Sequence, residues 1–391
     1  MSKVHLWLRD EVKEFEKRTA LAPQDAARLI SENNIEITVE RSSTRIFEDA
    51  EYEKVGCKLV DSNAWINNAP AAKKDPNTFV LGLKELPPLD GTALFPLNQR
   101  HIYFAHCYKR QGDWKDTMKR FVDGDGELLD LEFLNFDNGR RIAAFGVAAG
   151  FAGMAVGLIV WANQKLNRPT GQLHPFNHKD DLVDHVRKLL KEAGTPKVMV
   201  LGALGRCGKG SVDMAKLAGV EGENLLEWDI NETKVGGPFP QMINDVDILV
   251  NDIYLSGEVV PFINKDMIEE GDKNGTRRLT VFVDVSCDVS NPHNPFPINN
   301  AITTFDKPSR NVLSGSADRK PLDVIAIDHL PSLTPRESSQ DFSSQLSRHL
   351  VDLSRVDFST ESQPQESDEN QRVWLRSRKL FSEKVQEYKS A

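Results

Sequence analysis

The stretch Val198-Met-Val-Leu-Gly-Ala-Leu-Gly-Arg-Cys-Gly208 decides the fold. It opens with an apolar, β-prone run, is broken by Gly202, Gly205 and Gly208, and leads into a helical pattern over 211–218. A strand, a glycine-rich turn and a helix in that order let the backbone approach a pyrophosphate, whose charge the helix N-terminus stabilises. The next apolar run, Leu225-Leu-Glu-Trp-Asp229, ends in a carboxylate 21 residues after Gly208, where the ribose 2′-hydroxyl of a dinucleotide is held. Glycines at this spacing also occur in ordinary turns; the strand, the helix and Asp229 together carry the dinucleotide reading. Asp229 would repel a 2′-phosphate and no arginine follows it directly, so the sequence predicts NAD rather than NADP.

Around this motif the chain alternates strand-like and helix-like patterns twice. Strands are predicted over 4–8, 36–40, 78–83 and 101–108, with a helix over 23–32; a second series follows at 197–202, 224–229, 246–251, 279–285 and 324–328. The fold class expected is α/β, with two Rossmann-like domains of largely parallel sheet and the active site in the interdomain cleft. The segment 342–353 comes after the last sheet strand, so the chain is expected to return to its first domain. The substrate domain is then 1–141 with 338–391, and the NAD domain 142–337. Residues 164–180 read as a connector, 357–371 as a polar, low-complexity stretch, and 373–389 as a charged helix.

With 391 residues the chain can bury two cores, and its net charge of −9 argues against nucleic acid or an anionic membrane as partner. The uncharged segment 142–162 is long enough to span a bilayer, but its many glycines and alanines, lying between two α/β patterns, read as a buried, closely packed helix. Cys57, Cys107, Cys207 and Cys287 form no metal-binding spacing, so no metal is expected. The N-terminal residues resemble neither a signal nor a transit peptide, which predicts a cytoplasmic protein; the final Lys-Ser-Ala391 only loosely resembles a peroxisomal signal.

Open α/β sheets bind ligands at the carboxyl ends of their strands, and several polar residues fall there. Lys84 and Glu85 follow Phe79-Val-Leu-Gly-Leu83, His106 follows Ile102-Tyr-Phe-Ala105, and Asp288 follows Val283-Asp-Val-Ser-Cys287. A lysine after a strand is commonly a solvated terminus and a lone histidine commonly structural, so position makes these candidates only. Arg18 and the pair Arg140-Arg141 flank apolar segments and need anionic partners, either a substrate or protein carboxylates such as Asp130 and Glu132. Asn291-Pro-His-Asn-Pro295 reads as a rigid turn, with His293 structural.

Taken as a set, Glu16-Lys-Arg-Thr-Ala-Leu-Ala-Pro23, Leu83-Lys-Glu-Leu-Pro87, Phe104-Ala-His-Cys-Tyr-Lys109, Asp130-Leu-Glu-Phe-Leu134, 139–153, 202–208, Gly236-Gly-Pro-Phe239 and Asp328-His-Leu-Pro-Ser-Leu333 closely resemble the NAD-dependent, lysine-forming saccharopine dehydrogenases of the fungal aminoadipate pathway. The resemblance runs over about 4–385. The first two motifs are shared with the wider alanine dehydrogenase and transhydrogenase group. It implies that Lys84 and His106 are the acid–base pair, and that Arg18, Gln111, Arg141, Phe145, Ser286, Cys287 and Asp288 join Lys84 in contacting saccharopine. It implies an NAD site of Arg140, Gly205, Arg206, Asp229, Thr233, Tyr254, Val285, Ile327, Asp328, His329 and Leu330, with Glu85, Glu132 and Asp328 tuning the charge. The implied reaction removes the secondary-amine proton, passes hydride to NAD+, adds water to the imine and collapses the carbinolamine to lysine and 2-oxoglutarate. Small-molecule substrates and a monomer follow from the same resemblance. An alanine dehydrogenase or another amino-acid or opine dehydrogenase is the alternative enzyme, and a catalytically dead NAD sensor the non-enzymatic one. Relatives can carry a cysteine where this chain has Asp252, positioned to pair with the glycine-loop cysteine; Cys207 therefore has no evident partner and no disulfide control is expected.

Overall fold

The computed structural model describes residues 3–84, 86, 94–110, 113–255, 257–287, 289, 293–315, 321–358 and 368–390. The chain divides into two compact units, Met1–Ala144 with Ser338–Ala391, and Phe145–Glu337. Glu85, Gln111 and Asp288, together with Asn291 and Pro292, lie outside the described residues.

The first unit is built on a sheet of β1 (His5–Leu8), β2 (Glu36–Glu40), β3 (Lys58–Val60), β4 (Thr78–Leu81), β5 (Arg100–Tyr103) and β6 (Glu127–Asp130), in the order β3-β2-β1-β4-β5-β6. Every pairing is parallel, so all six strands end on one edge. The order reverses between β1 and β4, which makes the crevice beyond those two strand ends the natural ligand position. β4 is buried along its whole length, as a central parallel strand covered on both faces must be.

Two strands are shorter than the sequence pattern predicts. β4 ends at Leu81; the Gly82 amide still reaches the Ile102 carbonyl at 2.9 Å, but the amides of Leu83 and Lys84 bond to the Glu11 carboxylate rather than to a neighbouring strand. β5 ends at Tyr103, with the Phe104 amide still donating to the Leu83 carbonyl at 3.0 Å, and the chain then turns, with His106 at φ 52, a left-handed conformation that no strand accommodates. The strands β3 and β6 carry no alternating pattern: β3 is a short edge strand, and β6 begins and ends on a carboxylate. The outer side of β6 is covered by the helix Glu369–Ser390, whose Arg378 pairs with Glu127 at 2.5 Å and whose Trp374 is fully buried.

The second unit repeats the plan with β7 (Val198–Leu201), β8 (Leu225–Trp228), β9 (Ile248–Asn251), β10 (Val281–Asp284), β11 (Arg310–Leu313) and β12 (Leu322–Ile325), in the order β11-β12-β10-β9-β7-β8. Only β11 runs antiparallel. It is a polar edge strand, which hides it from a hydrophobic-pattern reading. The order reverses between β7 and β9, so the glycine loop after β7 lies at the second switch point.

The uncharged segment forms the helix Gly146–Lys165, buried from Gly150 to Ala162. It is long and apolar enough to cross a membrane by length and composition; here it is the central helix of the second unit, packed on β9, β10 and the glycine-loop helix Arg206–Leu217. Small residues permit that contact. A Cβ at Gly150 would run into the Cys207 carbonyl, and one at Gly210 into the Val147 carbonyl.

Candidate active site

In the first unit the charged residues that follow β1 and β4 gather at the switch point. Lys84 is only 8% exposed, Arg18 only 3%, and Glu16 and Glu11 are buried beside them. Arg18 grips Glu16 through two parallel bonds, Nε to Oε1 at 2.8 Å and Nη2 to Oε2 at 2.6 Å, the fork geometry that fixes a carboxylate most firmly. Burial pushes the Glu16 carboxyl up, but the Arg18 charge and bonds, with Lys84 adding to them, outweigh it and hold the group at about 2. Glu16 is therefore a permanent anion facing Lys84. Glu11 accepts from the Leu83 amide at 2.6 Å and the Lys84 amide at 3.0 Å, and burial pushes its carboxyl up against the opposing pull of Arg9.

His106 stands two strands from β1, beyond β5, with its ring stacked on Phe104 at 6.3 Å. Its left-handed backbone is the kind of local strain that persists where the surrounding structure holds it. Next to it, at the end of β6, Asp130 is fully buried; burial pushes its carboxyl up to about 7, with the nearby His106 pulling the other way. Asp130 also caps the turn after β6, accepting from the Glu132 amide at 2.9 Å. Glu132 in turn pairs with Lys109 at 2.9 Å and Arg141 at 3.6 Å. Arg141 thus has one of the partners the sequence left open, a protein carboxylate, while its side chain remains exposed. Arg140 is exposed and lies 5.8 Å from the centre of the Phe136 ring.

The second unit presents the dinucleotide features at its own switch point. Gly202 has φ 87, and a Cβ at Gly208 would collide with the Gly202 carbonyl, so this turn closes only with glycine at both places. Gly205 caps the helix that starts at Arg206, and both residues are exposed. Asp229, at the end of β8, reaches the loop: its Oδ2 accepts from the Leu204 amide at 3.0 Å and its Oδ1 from the Ile230 amide at 2.8 Å. Thr233 follows one turn later and donates to the Asp229 carbonyl. Tyr254, after β9, is exposed.

Beyond β10, Ser286 donates to the buried Asp284 carboxylate at 2.6 Å, which also takes Asn251 at 3.0 Å and Asn299 at 2.7 Å. Cys287, like His106, is left-handed, with φ 52, and Val285 packs towards Gly153. Ile327 and Leu330 are buried, Asp328 pairs with His329, and the His329 ring meets Phe305 edge-on at 4.8 Å. Phe145 precedes the central helix as its N-cap residue. All four cysteines are free thiols, and among the described residues no cluster of His, Cys, Asp and Glu has metal-site geometry.

The glycine turn, the exposed helix N-terminus and a carboxylate held against the loop fit NAD: backbone amides for the pyrophosphate, Asp229 for the ribose. Sequence reasoning assigned no role to Arg9, Glu11 or Glu16. They are ordinary charged residues in an irregular segment, and only the switch-point topology shows that they surround Lys84.

Two doubly wound, largely parallel sheets, one with a dinucleotide loop and one with a buried lysine among fixed charges, define a two-unit pyridine-nucleotide dehydrogenase. The alanine dehydrogenase/PNT N-terminal domain family matches residues 7–152. In overall fold the chain is similar to a solved L-alanine dehydrogenase, with a TM-score of 0.60 and 15% identity over 90% of each chain, and to a transhydrogenase from Sinorhizobium meliloti, with a TM-score of 0.53 and 14% identity over 89% of this chain and 93% of the other. Much nearer in sequence are the saccharopine dehydrogenases [NAD(+), L-lysine-forming] of Emericella nidulans, 46% identical with 97% of both chains covered, and of Schizosaccharomyces pombe, 46% identical with 98% of both covered. The chain belongs to the family of NAD-dependent, L-lysine-forming saccharopine dehydrogenases.

Proposed function

We propose that this chain oxidises L-saccharopine with NAD+ and water, giving L-lysine, 2-oxoglutarate, NADH and a proton, and that Lys84 and His106 carry the proton transfers. The observation that carries the assignment of roles is the placement of Lys84: a lysine buried at a topological switch point, beside Arg18 and the carboxylates Glu11 and Glu16. Bound NAD+ supplies the hydride acceptor. Lys84 takes the proton of the secondary amine as the carbon–nitrogen bond is oxidised. His106 then activates the water that adds to the imine and returns a proton to the departing lysine amine. Arg18 and Arg141 neutralise carboxylates of a substrate that bears three, which an acidic chain must do with local cations. Asp229 holds the ribose and excludes a 2′-phosphate. On this reading the protein acts as a monomer in the cytoplasm.

Two assays test it: NADH formation from saccharopine and NAD+, and NADH consumption with lysine and 2-oxoglutarate. Turnover confined to these substrates is expected, and oxidation of alanine or reduction of pyruvate with ammonia in their place would overturn the assignment. Within that activity, Lys84→Met should slow hydride transfer itself under saturating substrate, seen as a larger deuterium isotope effect; an unchanged rate removes Lys84 from the role.

A further inference from the structure

Past the end of β4 the neighbouring β5 segment still holds part of the backbone, taking the Gly82 amide on the Ile102 carbonyl at 2.9 Å and donating from the Phe104 amide to the Leu83 carbonyl at 3.0 Å, but the amides of Leu83 and Lys84 and the Lys84 carbonyl are held by side chains instead. Both carboxylate oxygens of Glu11 are spent on this segment, Oε1 on the Leu83 amide at 2.6 Å and Oε2 on the Lys84 amide at 3.0 Å. From the other side, Arg9 Nη2 donates to the Lys84 carbonyl. Arg9 and Glu11 bind each other at 3.3 Å, with side chains only 1% and 7% exposed. The Arg9 guanidinium also sits 5.6 Å from the centre of the Tyr103 ring on β5, and its place exists because residue 82 is glycine: a Cβ there would overlap the guanidinium. One residue, Lys84, is thus clamped at both its amide and its carbonyl by a buried, mutually neutralising ion pair from the loop after the neighbouring strand.

A buried ion pair is a poor way to gain stability, since desolvation of the two charges cancels most of their attraction and apolar replacements are often neutral. It is a good way to fix the two amides, of Leu83 and Lys84, that no strand bonds. We propose that Arg9 and Glu11 are positioning residues for Lys84: together they set the place of its peptide in the substrate crevice, and their mutual neutrality keeps a net charge away from its amine. The inference rests on the reading of Lys84 as the proton acceptor.

Each half of the pair then has its own signature. Glu11→Gln keeps the side-chain volume but leaves the Arg9 cation uncompensated, which disfavours the protonated amine of Lys84 and moves the acidic limb of the kcat/KM pH profile down. Arg9→Met leaves the Glu11 anion uncompensated and moves that limb up. A shift of about one pH unit in each direction is the size expected when one buried charge near a titrating group loses its partner. Both variants should lose about tenfold to a hundredfold in kcat, with little change in KM, because the amine is misplaced rather than the substrate released. Arg9→Lys restores the charge and with it the wild-type pH profile, though one donor fewer leaves kcat reduced.

The measurement is the pH profile of kcat and KM for saccharopine oxidation by the full chain, with thermal unfolding recorded for each variant. Opposite shifts, with rescue by Arg9→Lys, support the proposal. Equal losses of stability and activity with unmoved pH profiles would assign the pair a structural role and overturn it. Lys84→Met run alongside separates the two levels of argument: if that variant keeps the wild-type rate of hydride transfer, the assignment of Lys84 fails, whereas if it abolishes the rate while Glu11→Gln and Arg9→Met leave the pH profile where it was, only the clamp fails.

Discussion

Asp252 offers a strong test of the electrostatics described above. It follows β9 at the switch point of the second unit, its backbone is packed against Gly202 of the dinucleotide loop, and both of its carboxyl oxygens are buried. Ser211, on the facing helix, spends its hydroxyl on the Gly150 carbonyl at 3.0 Å, and Asp284 at the end of β10 adds a like charge. Burial pushes the carboxyl up to about 7 against the opposing pull of the Ser211 hydroxyl, with Asp284 adding to the rise. The native state therefore keeps a proton that the unfolded chain releases near pH 4. Between those values the folded form binds more protons than the unfolded, so stability falls as pH rises and levels off above about 7. About three pH units of separation correspond to roughly 4 kcal/mol.

Asp252→Asn removes this dependence. Amide exchange of β7 and β9, corrected for intrinsic pH effects, reads the opening free energy of this sheet separately from the first unit. The difference between variant and wild type should swing in favour of the variant by a few kcal/mol from pH 5 to pH 8. A difference that stays constant over that range would mean the carboxylate is ionised in the native protein, and the argument from burial would be wrong.

Gly150→Ala and Gly210→Ala each force a methyl into a facing carbonyl and should cost about 1–3 kcal/mol, with weaker NADH binding because the glycine-loop helix is displaced; calorimetry and NADH fluorescence titration measure both. Asp229→Ser should raise the NADP-to-NAD ratio of kcat/KM by about tenfold or more, since the carboxylate that repels a 2′-phosphate is gone. His101 is held in an aromatic box by Trp65 at 5.0 Å and Phe121 at 5.6 Å, neither ring nitrogen is bonded, and burial pushes it well below its ordinary value. The native ring stays neutral while the unfolded one takes a proton, so the wild type should lose stability as pH falls below about 6.5, and His101→Phe should lose less in urea titrations at pH 5.

What could be read in the sequence follows a physical rule. The glycine loop and Asp229 were legible because a tight phosphate turn tolerates few residue types and fixes the distance to the next strand end. The central strands β1, β4, β7, β9 and β10 were legible because burial on both faces demands apolar runs. Edge strands escape that demand, so β3, β6 and the antiparallel β11 left no pattern, whereas the edge strand β8 was legible from its apolar Leu225 and Leu226 ahead of Asp229. The true ends of β4 and β5 were set by tertiary partners, Glu11 for one and the left-handed turn at His106 for the other. The same limit applies to the charges around Lys84: that Arg9 and Glu11 meet a residue more than 70 positions away is decided by strand order, which no local window contains.

The first unit is closed by residues from both ends of the chain, and this has a consequence during synthesis. The amides of Thr19 and Ala22 are accepted by the hydroxyls of Ser339 at 3.0 Å and Ser343 at 2.8 Å, some 320 residues later. At a translation rate of about 5–20 residues per second, those groups wait roughly 15–60 s for their partners. Throughout that interval the nascent chain carries an N-terminal sheet whose β6 flank still lacks the Glu369–Ser390 helix, while the whole of the second unit emerges as one contiguous insert. Newly made protein is therefore most exposed to aggregation and proteolysis in its oldest part, and a ribosome stalled within the last 50 or so codons would release a chain whose NAD loop is complete but whose lysine-bearing sheet is not.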